Sequence, residues 1–79
     1  MPEVNVYSTP MCPWCSKVKQ FLEEHNFEYD DYDVAADPSK AEEMIQKSGQ
    51  MGVPVVEIDG EIVVGFDRPR LEDLLGLNR

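Results

Sequence analysis

Cys12 and Cys15 stand two residues apart in Met11-Cys12-Pro13-Trp14-Cys15-Ser16-Lys17, and the chain contains no other cysteine. Free cysteines often serve as small apolar filler in a core. Filler, however, needs no fixed spacing and no proline and tryptophan between the two sulfurs. The pattern suits two chemistries: reversible thiol–disulfide exchange, or donation of two thiolates to a soft metal. A structural zinc site needs four ligands, and there is no second cysteine pair to complete one. His25, the one histidine, falls near the far end of the same expected helix from Cys12 and reads as a helix-end residue rather than a ligand. That leaves metal shared between two chains as the form of the metal reading still open. A Cys12–Cys15 bridge would close a very small loop, which by the chain-entropy argument stabilises a fold least. The pair therefore reads as a redox centre.

The surrounding segments must present one sulfur and shelter the other. Val4-Asn5-Val6-Tyr7 alternates strand-forming residues and reads as a first strand, ended by Ser8-Thr9-Pro10. Pro13 suits the first turn of a helix, where its missing N–H has no partner to lose. From there Cys15, Val18, Phe21, Leu22 and His25 recur at helical spacing and define one apolar face. Lys17, Lys19, Gln20, Glu23 and Glu24 fill the remaining surface, and His25-Asn26 ends the helix. With Cys12 at the helix start, free N–H groups and the positive end of the dipole favour a thiolate there. Lys17, one turn further on, adds positive charge. Cys15 points toward the apolar face and stays protonated until needed. The roles follow: Cys12 attacks a disulfide and Cys15 resolves the mixed disulfide.

Further along, Phe27-Glu28-Tyr29-Asp30-Asp31-Tyr32-Asp33-Val34 alternates aromatic and acidic residues and reads as a second strand, shorter than the pattern itself. Its acids read as a solvated face. Asp37-Pro38 is a cap followed by a first-turn proline; Ala41, Met44, Ile45 and Ser48 mark the buried side of a second helix, and Gly49 stops it. Val53-Pro54-Val55-Val56-Glu57-Ile58 and Ile62-Val63-Val64 are two strands joined by a tight Asp59-Gly60 turn. Gly65-Phe66-Asp67 leads into a last helix with Leu71, Leu74 and Leu75 facing inward and Asp67 as its cap. The order β-α-β-α-β-β-α, on an α/β plan, requires a parallel pair with a crossover and a closing antiparallel hairpin.

Seventy-nine residues make one domain, read as 1–79, near the lower limit for a single core. Sixteen acidic against seven basic residues give a net charge of −9, which disfavours nucleic acid and anionic membranes as partners. The start Met1-Pro2-Glu3-Val4 shows neither a basic nor an apolar export signature, and no apolar run has the length of a membrane span. The expectation is a cytoplasmic monomer, a compartment in which a Cys-x-x-Cys pair is more often catalytic or metal-binding than structural.

Taken together, the first strand, Cys12-Pro13-Trp14-Cys15, the basic Lys17 two positions beyond, and Val53-Pro54 before a later strand resemble a glutaredoxin along essentially the whole chain. The motif is similar to that family's Cys-Pro-Tyr-Cys and differs from the Cys-Gly-Pro-Cys of thioredoxin. The resemblance implies a minimal thioredoxin-like fold, a four-stranded mixed sheet flanked by three helices. It also implies dithiol reduction of protein disulfides or mixed glutathione disulfides, with no tightly bound cofactor and glutathione as the candidate reductant. It implies a cis Pro54 beside the reactive cysteine, with Val53 offering backbone hydrogen bonds to an extended substrate. Trp14, Gly65, Phe66 and Asp67 complete the implied substrate surface, and an exposed Trp14 offers apolar docking area. The bland readings stand beside these: Trp14 half-buried against Tyr7 or the last loop, Gly65 as a turn residue and Phe66 as a core ring.

Glutathione-using members carry a lysine where this chain has Thr9, often a basic residue where it has Gln50, and Gly-Gly-x-Asp-Asp where it has Val64-Gly65-Phe66-Asp67-Arg68. Losing a rim cation weakens the hold on a carboxylate by ~1 kcal/mol or less; Lys17 and Lys47 are the cations placed to compensate. The Gly-Phe pair resembles redoxins that donate electrons to ribonucleotide reductase and are themselves reduced by thioredoxin reductase. Ser48-Gly49-Gln50-Met51-Gly52-Val53-Pro54 also resembles short bacterial and archaeal glutaredoxin-like proteins. An iron–sulfur cluster between two subunits is a further form of the family, and proline after the first cysteine argues against it.

Overall fold

A computed structural model describes residues 3–50 and 52–77. The start Met1-Pro2 and the Met51 quoted above lie outside the described residues. Strand β1 (Val4–Ser8) is central, paired in parallel with β2 (Asp30–Asp33) and antiparallel with β3 (Val55–Ile58), which carries β4 (Glu61–Val64) on its far side. Helices α1 (Pro13–Glu24), α2 (Pro38–Ser48) and α3 (Arg68–Leu74) complete the expected order. This is the four-stranded mixed sheet with three helices that the resemblance implies.

Every residue of β1 is buried, and its alternation divides the interior into two cores. Val4 and Val6 point to one face, where Val18, Phe21 and Leu22 of α1 meet Val56, Ile58, Val63, Leu71 and Leu75. Tyr7 points to the other and packs with Met44 of α2 and Val55. Asn5, on the Tyr7 side, is buried too, and its amide donates to Glu57 Oε1 at 3.0 Å.

The local signals behave as their chemistry demands. Asp37 caps α2 by accepting from the N–H groups of Ser39 and Lys40, and Gly49 closes the helix in the left-handed conformation at φ 76°. Asp59 and Gly60 both take positive φ, as a two-residue hairpin turn requires. Asn26 is left-handed just past α1.

Several expectations need correction. The second strand is Asp30–Asp33 only. Phe27 and Tyr29 approach it from the preceding segment and pack against the α1-side core. The third strand starts at Val55, leaving Val53 and Pro54 ahead of it, and the fourth starts one residue early at Glu61. On α2 only Met44 is buried; Ala41, Ile45 and Ser48 are half-buried, with Ile45 packed at the margin of the Tyr7–Met44–Val55 cluster. His25 is exposed, because α1 ends there; its ring rests against Phe21 at 4.7 Å.

Lys47 ties α2 to the sheet. Its ammonium donates to Glu57 Oε1 at 2.9 Å and to the Tyr7 hydroxyl at 3.2 Å, and lies 3.5 Å from Glu43 Oε1. The Glu57 carboxylate holds its pKa above the ordinary 10.5, and burial lifts that of Tyr7 above 10.0 despite the opposing hydrogen bond from Lys47. Both groups are raised, so their contribution to stability is intact below about pH 10 and is lost as pH climbs through the folded-state values. The thermal midpoint is therefore expected to fall steeply in alkali above about pH 10. Lys47→Met should lower the midpoint at neutral pH by no more than about 1 kcal/mol in stability terms and flatten the alkaline decline. An alkaline slope identical to wild type in that variant would show that Lys47 is not the group being titrated.

Candidate active site

The carboxyl end of β1 delivers the chain directly to the cysteines. Cys12 is the N-cap of α1, in extended conformation, and Pro13 occupies the first turn. The Cys15 backbone N–H donates to Cys12 Sγ at 3.1 Å. One of the orphan donors of the helix start is thus aimed at that sulfur, and a donor there stabilises negative charge on it. Cys12 is partly exposed, whereas Cys15, one turn in, is 1% exposed. Burial foremost, then the hydrogen bond with Cys12, pushes the Cys15 thiol up to about 11. Two thiols of one short motif are therefore held in opposite conditions: one open and facing an N–H donor, the other enclosed and kept protonated.

Trp14, Val53, Pro54, Gly65 and Phe66 line one shallow groove of about 240 Å³. The Val53–Pro54 peptide is cis, as the resemblance implies. Gly65 sits at φ 75°, and its N–H donates to the Pro54 carbonyl at 2.8 Å, so the positive φ joins the loop after β4 to the start of β3. Trp14 is 56% exposed, with its ring 6.4 Å from Phe66. Trp14 is thus exposed, and the ring it approaches belongs to the last loop rather than to Tyr7. Phe66 in turn leans on Phe21 at 6.0 Å, so it is a core ring at one edge and groove wall at the other.

Asp67 does not join this groove; its carboxylate accepts from the Arg70 N–H and caps α3. Lys17 extends over Trp14, with its ammonium 5.5 Å from the ring centroid, and lines a neighbouring concavity of about 330 Å³ with Phe21, His25 and Arg68. Lys47 belongs to the opposite face, held by Glu57, Glu43 and Tyr7, so it is not placed to compensate for the missing cations. A separate concavity of about 590 Å³, beside Glu3, Glu28 and Asp30, opens at the far end of β1, and neither cysteine lines it.

Four contributors are not evident from the sequence: Thr9, Lys19, Asp31 and Ser8. The Thr9 backbone eases ionisation of Cys15, partly offsetting burial and the Cys12 sulfur, and the Thr9 carbonyl accepts from the Cys12 N–H at 3.4 Å. Lys19 pairs with Asp31 at 2.7 Å, and Ser8 donates its hydroxyl to the other oxygen of Asp31 at 2.8 Å. The available signal was the spacing of Lys19, four residues beyond Cys15 on one helix face. Among the described residues no group of three or more His, Cys, Asp or Glu side chains could hold a metal ion.

A mixed sheet of this topology, with an exposed and a buried thiol at the start of the first helix, defines the thioredoxin-like class. The sequence profile of the glutaredoxin family matches residues 4–63. The chain belongs to the glutaredoxin family and has its thiol-oxidoreductase fold. It is 46% identical over 72 residues to an uncharacterized glutaredoxin-like 8.6 kDa protein in a rubredoxin operon of Clostridium pasteurianum, covering 91% of this chain and 96% of that one. It is 31% identical over 67 residues to glutaredoxin 3 of Escherichia coli, covering 85% and 81%. Among solved structures, a mutant of a thioredoxin-like protein superposes with a TM-score of 0.91 at 36% identity, covering 99% of this chain and all of that one. A glutaredoxin of Archaeoglobus fulgidus superposes with a TM-score of 0.86 at 25% identity, covering 95% and 87%. Members of the family generally act with glutathione or on disulfide substrates.

Proposed function

We propose that this chain reduces protein or small-molecule disulfides by a dithiol mechanism. The Cys12 thiolate attacks one sulfur of a substrate disulfide; a Cys12–substrate disulfide forms and the other substrate sulfur leaves as thiolate. Cys15 then loses its proton and attacks Cys12 Sγ. The Cys12–Cys15 disulfide forms, the second substrate thiolate leaves and is protonated, and two electrons have passed to the substrate. The observation that carries this reading is the contrast between Cys12, open and facing the Cys15 N–H at 3.1 Å, and the enclosed Cys15. Trp14, Val53, Pro54, Gly65 and Phe66 form the substrate groove, whose small volume suits a strand of backbone and one side chain rather than an enveloped ligand. Pro13 supports the site by starting α1 at the sulfur. The cytoplasm is the compartment in which we place the reaction.

Family membership supports glutathione as the reductant. A second reading, regeneration by thioredoxin reductase, is favoured by the fate of the cations: Lys47 is sequestered on the α2 face and Arg68 is paired with Glu72 at 3.3 Å, which leaves Lys17, over Trp14, as the compensating cation near the groove. Thr9 and Gln50 supply no positive charge for the two carboxylates of glutathione. The test is reduction of one disulfide, insulin, with electrons supplied in parallel by glutathione with its reductase and by thioredoxin reductase. Turnover with thioredoxin reductase and little with glutathione supports the second reading; the reverse removes it. Failure with both, alongside an inert Cys12, would remove the dithiol proposal itself.

A further inference from the structure

The resolving step asks a buried thiol to ionise, and three side chains converge on meeting that demand. Lys19 follows Cys15 by one turn, and residues four apart on a helix have Cβ atoms about 5–6 Å from each other. Its side chain is 26% exposed, and its ammonium is drawn to Asp31 Oδ2 at 2.7 Å. Asp31 is itself fixed through Oδ1 by the hydroxyl of Ser8, a residue only 2% exposed at the end of β1. Ser8 ends the strand that leads into the Cys12 cap of α1. A surface lysine at this position would sweep a wide volume. This one is anchored from β1 and β2 together.

We infer that Lys19, anchored by Asp31 and Ser8, is a positioning residue for the second half of the reaction, where its charge stabilises the Cys15 thiolate as it forms. The inference rests on the dithiol reading above and deepens it. The groups acting on Cys15 are the burial around it, the Cys12 sulfur across the motif, the Thr9 backbone from the β1–α1 loop and the Lys19 ammonium, with Asp31 behind it. Burial and Cys12 disfavour ionisation, whereas Thr9 and Lys19 favour it. When Cys12 joins the substrate in a mixed disulfide, its negative charge is gone and its opposition to a second thiolate goes with it. Thr9 and Lys19 remain. Cys15 thus becomes easier to ionise at the moment it is required, and the proton it gives up ends on the departing substrate thiolate.

Single-turnover kinetics with a glutathionylated peptide separate the two steps: formation of the mixed disulfide at Cys12 as the first thiol leaves, then release of the Cys12-bound thiol as Cys15 attacks. In Lys19→Met the second phase is expected to slow by roughly threefold to tenfold, with its pH midpoint raised by about half to one unit. The first phase should stay within about twofold of wild type. Lys19→Arg, which keeps the charge, should restore both rate and midpoint. Should methionine disturb folding, Lys19→Gln gives the same readout. A purely structural role for Lys19 would leave the pH midpoint in place, so an unchanged midpoint and rate in the neutral variants overturns the inference. A wild-type protein that forms no mixed disulfide at Cys12 would instead remove the dithiol reading beneath it, and this inference with it.

Discussion

Cys12→Ser is expected to abolish disulfide reduction, lowering turnover by roughly a thousandfold or more, because the other cysteine, Cys15, is 1% exposed and cannot take its place. Cys15→Ser is expected to behave differently. Its Cys12 is still open, still caps α1 and still reacts, so the variant should accumulate mixed disulfides that persist through non-reducing electrophoresis and disappear with added dithiol. Circular dichroism should show both variants folded, since neither substitution opens a sizeable cavity. The pair of outcomes is directional: near-normal turnover in Cys12→Ser, or trapping by Cys12→Ser rather than by Cys15→Ser, would reverse the assignment of attacking and resolving thiols.

The second large effect lies in the scaffold. Leu22 is fully buried on α1, in the same helix face as Cys15, Val18 and Phe21, and meets the Val4–Val6 side of the central strand. Leu22→Ala should cost about 2–5 kcal/mol. At roughly 0.05–0.15 kcal/mol per residue, a domain of this length has only about 4–12 kcal/mol in total. The urea midpoint should therefore fall by a large fraction, and the most weakly stable preparations should be partly unfolded at room temperature. A loss below about 1 kcal/mol would mean that the α1-side core can collapse around the missing atoms. Activity per folded molecule should be preserved, which distinguishes this variant from the cysteine ones.

What was legible beforehand was local. Helix α1 announced itself through Pro13 and the spacing of Cys15, Val18, Phe21 and Leu22, and the hairpin through Asp59-Gly60. These signals depend on near neighbours and on backbone conformations that few residues adopt. The strand limits were less legible: Phe27 and Tyr29 carry the alternation of a strand but bury themselves from an irregular segment, since a ring can reach a core without a ladder of hydrogen bonds behind it. The missed parts of the site are tertiary. Asp31 meets Ser8 and Lys19 only because β2 lies beside β1 with Val6 opposite Asp31, a register the sequence does not spell out. The same is true of Lys47, whose partner Glu57 lies on a different element. A charge looks solvated until its partner's strand is placed.

The hydrogen bond from the Cys15 N–H to the Cys12 sulfur also bears on how the protein is recharged. A donor aimed at a thiolate favours the reduced form of the pair, because the disulfide sulfur carries no charge to reward it. By thermodynamic linkage, whatever that contact contributes to the reduced fold is withheld from the oxidised one, which makes the disulfide a more willing electron acceptor. The same contact that readies Cys12 to give electrons away thus limits how strongly the protein can drive a reluctant substrate, while easing the return of electrons from its own donor. Capping geometry at the first turn of α1 is, in this sense, a setting on the redox scale.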